Sequence, residues 1–201
     1  MKPGARRAAA LATVALTAVA APSAFADSGV SRGPSTTKNP YVIPVADGVQ
    51  IKSILTTGDQ PADNGYGLVG IPDGLGAVRD GNNVTVLANH ELRATQGVVR
   101  RHGQKGAFVS RWSIDRRTLR VKSGSDLINP GVQYYDYVAQ TFGAAPSAGG
   151  ANPRNPADLF PAQSAPFARF CSSSLTDVGQ LYNARSGRGY DGQLYFANEE
   201  N

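Results

Sequence analysis

Two short segments of the chain combine an apolar run with an amide and a carboxylate. Residues 86–92 read VLANHEL, and residues 195–201 read YFANEEN. The four central positions of the segments align one by one: Ala88, Asn89, His90 and Glu91 with Ala197, Asn198, Glu199 and Glu200. We call them the Asn-x-Glu motifs. Because side chains alternate along a strand, the Asn and the Glu of each motif are expected to point to the same side.

Amide and carboxylate oxygens are the hard donors that Ca²⁺ and Mg²⁺ prefer. If the two motifs end equivalent strands that face one centre, Asn89, Glu91, Asn198 and Glu200 would supply four oxygen ligands. Asp73, in the Gly/Pro-rich segment GIPDGLG, is the expected fifth. The alternative stays open, because Asn and Glu also cap turns and remain solvated at strand ends.

Other kinds of site have little support in the sequence. It contains no Gly-x-Ser-x-Gly elbow, no Walker loop and no zinc-type pair of histidines. Cys171, the single cysteine, is expected to be a buried apolar thiol. Residues 93–122 carry nine Lys or Arg and one acid, so this stretch either attracts anions or forms a solvated basic face. No nucleic-acid-binding motif accompanies it, and a nucleic-acid partner is not expected.

The beginning of the chain has the three-part pattern of an export signal. Lys2, Arg6 and Arg7 precede an apolar, Ala-rich run, and the small residues Ala24 and Ala26 stand at the two positions that a signal peptidase reads for cleavage after Ala26. We therefore expect residues 1–26 to be removed and the protein to be secreted, with no stable membrane insertion afterwards. The formal charge of +5 then falls by three, to +2.

The rest of the chain has the pattern of an all-β protein. Short alternating or β-branched runs are separated by turn signals such as Asp-Gly, as at residues 49–55, 83–89 and 107–114. Residues 27–39 are expected to be a flexible lead-in. Residues 143–166, rich in Ala, Pro and Gly, are expected to be a loop insertion in the domain.

The repeated motif bears on the choice among all-β folds. Radial repetition brings equivalent strand ends to one channel, so it favours a β-propeller over a sandwich or a barrel. Residues 40–201 contain enough strands for two to three blades, whereas propellers typically close with about 4–8. The sequence therefore predicts an incomplete segment of a larger propeller.

The motifs also resemble those of a known family. NHEL after an apolar strand, the preceding PDGLGA and the later EEN are similar to the secreted PhoX-type alkaline phosphatases and their uncharacterised relatives, which carry Asn-His-Glu and later Cys-Glu-Glu-Asn. The resemblance implies a β-propeller with a calcium-dependent phosphomonoesterase site and iron at its centre, where acidic side chains and a Cys hold the metals. By this match Glu91, Glu199 and Glu200 are metal ligands.

One position departs from the family pattern. The family Cys falls at Asn198, and an amide oxygen suits calcium whereas a thiolate suits iron. We therefore expect a secreted, calcium-type phosphomonoesterase in which Glu91 takes part in catalysis and Arg93 neutralises an anionic substrate such as a phosphate ester. Two alternatives remain: a non-catalytic calcium-binding propeller with an anion-binding surface, and a calcium-dependent propeller lactonase.

Overall fold

The structure is a computed structural model that describes residues 29–60, 62–136, 140–143 and 166–200. The predicted signal segment 1–26 and nearly all of the predicted loop 143–166 lie outside these residues. The described residues contain strands and turns but no helix, which confirms the prediction of an all-β chain. None of them forms a helix of the length and apolarity needed to cross a bilayer.

Twelve strands are present in the described residues: β1 Val30–Arg32, β2 Ile51–Ser53, β3 Pro72–Asp80, β4 Asn83–His90, β5 Phe108–Asp115, β6 Val121–Asp126, β7 Tyr134–Asp136, β8 Thr141–Gly143, β9 Phe170–Leu175, β10 Leu181–Asn183, β11 Arg188–Tyr190 and β12 Tyr195–Glu199. Strands β3 to β6 form one antiparallel sheet in sequential order. The remaining strands pair two by two, as β1–β2, β7–β8, β9–β12 and β10–β11. The described strands do not form a closed sheet.

The four-stranded sheet follows directly from local sequence. In β4 the β-branched residues favour an extended chain, and the turn between β3 and β4 uses Gly81 in the left-handed region, with φ 56°. Asp80 pairs with Asn83 across this turn, which sets the register of the whole hairpin. That register carries His90 to the far end of β4 and leaves Glu91 just beyond it.

Both faces of this sheet are covered. On one face Trp112 and Ile114 pack with Val121, and the segment before β3 covers them through residues such as Leu68. On the other face Leu87 and Val109 pack against Phe170 of β9. The alternation predicted for residues 107–114 therefore separates the two faces of β5, and it places Asn89, which pairs with Val109, on the face toward β9.

Strand β9 approaches β3 very closely. A Cβ atom on Gly74 would lie 2.5 Å from the Ser173 Oγ and 2.6 Å from its backbone nitrogen. Tyr195 of β12 closes the same contact, because its hydroxyl donates to the Gly74 carbonyl oxygen at 3.1 Å. The β9–β12 pair is thereby fixed against the end of the sheet where both Asn-x-Glu motifs lie.

The start of the described chain differs from the flexible lead-in expected for residues 27–39. Strand β1 pairs in parallel with β2, and the Ser35 hydroxyl accepts a hydrogen bond from the Val121 backbone at 2.9 Å. Ser35 is 8% exposed. A Ser/Gly-rich composition indicated flexibility, but a small hydroxyl side chain also satisfies an otherwise unpaired donor of β6.

Candidate metal centre

Three potential metal ligands from separate parts of the chain converge. One donor atom each of Asp73, Glu91 and Cys171 lies within 4.8 Å of the other two. Glu200 adjoins them, because the Cys171 thiol donates to Glu200 Oε2 at 3.1 Å. We call these four residues the carboxylate–thiol cluster.

Strand ends bring the cluster together. Glu91 directly follows β4, and its backbone N–H donates to the Ile71 carbonyl oxygen at 2.9 Å, which holds it beside the start of β3 and Asp73. Cys171 is the second residue of β9, and Glu200 directly follows β12. The two glutamates that are equivalent in the Asn-x-Glu motifs therefore lie beside the same cysteine.

A guanidinium group joins these two glutamates. Arg169 donates through Nε to Glu91 Oε1 at 3.1 Å and through Nη2 to Glu200 Oε2 at 2.5 Å. Its backbone is fixed from both sides: the N–H donates to the Leu92 carbonyl oxygen at 2.8 Å, and the carbonyl oxygen accepts from Glu200 N–H at 3.0 Å. Arg169 also has a φ of 50°, which is uncommon for a residue with a side chain.

The cluster controls the charge of its own members. The adjacent Cys171 thiol and the hydrogen bond from Arg169 lower the pKa of Glu91 below its ordinary value. The carboxylates of Glu91 and Glu200 raise the pKa of Cys171 to about 12. At neutral pH Glu91 is therefore ionised and the Cys171 thiol is protonated, and a cation that binds the sulfur must release its proton.

The asparagines of the two motifs have another role in the structure. Asn89 is fully buried: its Nδ2 donates to the Ser172 carbonyl oxygen at 3.1 Å and to that of Cys171 at 3.4 Å, while its Oδ1, 2.9 Å from the Tyr195 hydroxyl, shares that proton with the Gly74 carbonyl oxygen. Asn198 is exposed and donates to Ser172 Oγ at 3.0 Å. Both amides thus secure β9 next to Cys171.

Two further residues predicted for the site lie outside the cluster. Glu199 Oε1 accepts a hydrogen bond from the Ala168 backbone N–H, which engages that carboxylate elsewhere. Arg93 is exposed; its backbone N–H donates to Gln96 Oε1 at 2.8 Å, and no ion pair of its side chain occurs within the described part of the chain. Of the predicted residues, the structure brings together Asp73, Glu91 and Glu200.

Cys171 and Arg169 were not foreseen as part of this site. A weak signal was present: FCSSSL, residues 170–175, is a short run bounded by the apolar Phe170 and Leu175, and it pairs with YFANE in β12. Pairing puts Phe170 opposite Glu199 and carries the neighbouring Cys171 beside the second motif. A cysteine inside a strand next to two acidic strand ends is thus a candidate ligand rather than an apolar thiol.

His90 faces away from the cluster, into the opposite core. Its ring stacks on Phe108 with centroids 4.0 Å apart, and its nitrogens contact the Val69 carbonyl oxygen at 3.0 Å and Ser110 Oγ at 2.8 Å. Trp112 Nε1 donates to the same Ser110 oxygen at 2.7 Å, so the Ser110 hydroxyl proton is free to bond the histidine. Burial lowers the pKa of His90 to about 4, which keeps its ring neutral.

This buried histidine makes stability depend on pH. The unfolded chain binds a proton at His90 near pH 6.5, whereas the folded chain does so only near pH 4. The unfolded state therefore binds more protons between these values, and the free energy of unfolding is expected to fall as pH falls, by about 3 kcal/mol at most. Burial also lowers the pKa of His102, so this residue adds to the fall in the free energy of unfolding as pH falls.

The measurement is urea unfolding from pH 7 to pH 4.5, together with NMR titration of the two histidine rings. Ordinary carboxylate pKa values lie near 4, and the raised pKa of Glu199 affects stability in the opposite sense, so a loss between pH 7 and about pH 5.5 reports the histidines; the NMR titration assigns the loss below that pH. A constant free energy of unfolding over the window, or a His90 ring that titrates near pH 6.5, would contradict the expectation.

The donor set of the cluster is chemically mixed. Its carboxylate oxygens suit Ca²⁺ or Mg²⁺, whereas the Cys171 sulfur, once deprotonated, suits iron or zinc. Such a set is able to hold a cation with open positions toward solvent, since Asp73 is exposed and Glu91 and Cys171 are only partly buried.

The chain was compared with protein-family models, with curated proteins and with solved structures. It matches none of them.

Proposed function

We propose that this chain belongs to a secreted, metal-dependent phosphomonoesterase with a β-propeller fold, related to the PhoX-type alkaline phosphatases. The single observation that carries the proposal is the convergence of Asp73, Glu91 and Cys171 donors within 4.8 Å. The family pairs acidic ligands with a cysteine, and here Cys171 stands beside the acidic strand ends even though Asn198 occupies the family position.

The arrangement of the sheets supports the propeller part of the proposal. Blades of a propeller are antiparallel sheets that pack face to face around a channel. The sheet β3–β6 is a four-stranded meander, and the β9–β12 pair packs against its face through Phe170 and Leu87. Strand ends from both units carry the cluster, as expected for the rim of a shared channel.

The residues of the cluster fit the metals that the resemblance implies. Glu91, Glu200 and Asp73 would hold a calcium-type ion through oxygen, and Cys171 extends the set to iron. A cation held there supplies Lewis-acid polarisation of a phosphoryl oxygen. The protein itself orients one donor, because Asn89 fixes the backbone of Cys171, while Arg169 contacts the two glutamates.

A second candidate is a non-catalytic calcium-binding propeller. It is favoured by the ion pairs of Arg169, because this residue already neutralises charge on Glu91 and Glu200 and stabilises the strand ends without any turnover. In that case a cation would be structural, and the basic surface of residues 93–122 would bind an anionic partner.

Turnover assays on the full chain separate these functions. We expect hydrolysis of p-nitrophenyl phosphate in the presence of Ca²⁺ together with ferric ion, and none of a γ-lactone. Cation binding without turnover of either substrate would favour the non-catalytic propeller, and lactone turnover alone would favour the lactonase. A chain that binds no cation would exclude the proposed site.

Replacement of the thiol tests the choice of metal. Cys171→Ser is expected to weaken the binding of ferric or zinc ion by at least about 10-fold, because the soft ligand is lost, while Ca²⁺ binding stays within about 3-fold. The measurement is calorimetric titration at pH 7. Ser172→Ala, one position along β9, is the matched control and should leave both affinities near the unsubstituted value. Equal losses for both kinds of ion would argue against sulfur ligation.

A further inference from the structure

Arg169 presents a cationic group beside the carboxylate–thiol cluster. Its side chain is 40% exposed although it contacts two carboxylates. The backbone of Arg169 is bonded to the residues that follow β4 and β12, so the position of its Cα is fixed by both motif-bearing strands. A guanidinium anchored in this way stays close to the cluster whatever its side chain binds.

The donors of Arg169 are only partly used by the protein. A guanidinium has five N–H groups and no acceptor, so it binds anions and never a cation. Nε and Nη2 contact Glu91 and Glu200, while for Nη1 no protein partner occurs among the described residues. The exposed edge of the group is therefore open to a solute anion that sits against the cluster.

We propose that Arg169 is the residue that binds the anionic group of the ligand at this site. The inference rests on the proposed function, since the anion is taken to be the phosphoryl group of a monoester whose other oxygens face the cluster. Planar guanidinium groups match two oxygens of a phosphate at once, which a point charge does not. Arg169 thus takes the place that the sequence assigned to Arg93, which is exposed and engages the cluster through no described side-chain contact.

A purely supporting role for Arg169 makes a different prediction. If the residue only orients Glu91 and Glu200 as metal ligands, its loss should weaken cation binding, by about 10- to 100-fold for a typical outer partner. If it binds the anion, its loss should weaken phosphate binding while cation binding changes little. The two affinities therefore distinguish an anion-binding residue from a positioning residue.

The experiment titrates inorganic phosphate into the full chain loaded with Ca²⁺ and ferric ion, and separately titrates the cations alone. For Arg169→Gln we expect phosphate affinity to fall about 10- to 100-fold, the effect of losing a charge-assisted hydrogen bond, with cation affinity within about 3-fold. Arg169→Lys keeps the charge but not the planar pair of donors, so its phosphate affinity should lie between those of the unsubstituted chain and Arg169→Gln. Arg93→Gln removes the same charge two residues after Glu91 in the chain and should leave both affinities unchanged.

Several results would overturn the inference. These are unchanged phosphate affinity in Arg169→Gln, a parallel fall in cation affinity, or an equal loss in the Arg93 control. If the unsubstituted chain binds cations but its phosphate affinity does not depend on Arg169, only this inference fails. If the unsubstituted chain binds no cation, the proposed function fails with it. Should Arg169→Gln not fold, as judged by its thermal unfolding, the Lys variant decides by the same criteria.

Discussion

The Glu91→Gln variant is expected to lose more than about 100-fold in cation affinity and all measurable phosphoester hydrolysis. Glu91 contacts several parts of the site, because it lies beside Asp73 and Cys171 and its carboxylate accepts a hydrogen bond from Arg169 at 3.1 Å. The amide keeps the size of the side chain but removes its charge. Since loss of an outer partner alone costs about 10- to 100-fold in metal affinity, loss of a direct ligand should cost more.

The same variant has a second readout that needs no metal. Glu91 is the leading cause of the raised pKa of Cys171, so removing its charge should lower that pKa from about 12 toward the ordinary value. Because the thiolate is the reactive form, alkylation of Cys171 by iodoacetamide at pH 8 should become faster. If the substitution merely buried the thiol, alkylation of Cys171 would instead become slower.

Glu199→Gln is the matched control for this variant. It is the same isosteric change in the second motif, but Glu199 bonds the Ala168 backbone rather than Cys171. We expect cation affinity and thiol reactivity close to those of the unsubstituted chain. Equal losses of cation affinity in both variants would show that the effect comes from the total negative charge of the region. Unchanged cation affinity in Glu91→Gln would exclude the cluster as the metal site.

Local pattern was enough to predict the strands that form the four-stranded sheet. Alternation in residues 83–89 and 107–114 and the Asp80-Gly81 turn fix strand type, register and face, because side-chain direction in a strand has a period of two. The same rule placed Asn89 and Glu91 on one side of β4 and His90 on the other. These features depend on neighbours in sequence, which a single chain reveals.

The composition of the site depended on contacts between distant segments. Cys171 reaches Glu91 only because β9 pairs with β12 and packs on β3, and these segments are far apart in the sequence. Likewise, the repeated Asn-x-Glu predicted the meeting of Glu91 and Glu200 but not the use of the asparagines. An amide is able to donate and accept, and only the surroundings of Asn89 decide that it holds strands together.

The two motif asparagines are expected to respond very differently to the same substitution. Asn89→Asp should lower the free energy of unfolding by about 3–5 kcal/mol at pH 7, the cost of an uncompensated buried charge. Asn89 is fully buried, and its Nδ2 donates to the carbonyl oxygens of Cys171 and Ser172. A carboxylate there would face two acceptors and offer no donor.

Asn198→Asp is expected to change the free energy of unfolding by less than about 0.5 kcal/mol, as for most surface substitutions. Its side chain is exposed, and its partner, the Ser172 hydroxyl, is able to donate as well as accept. Urea unfolding of both variants measures the difference. Equal changes in the free energy of unfolding would mean that the two motif positions are equivalent, which would contradict the structure.

The pH dependence of the Asn89→Asp variant adds a test of the cause. Burial without a donor raises the pKa of the introduced carboxyl group in the folded state above its unfolded value. The unfolded chain then loses this proton first as pH rises, so the destabilisation should grow from pH 4.5 to pH 7 and shrink again on acidification. A protonated carboxyl also recovers one donor toward Ser172. A loss that is independent of pH would point to altered packing of β9 rather than to a buried charge beside Cys171.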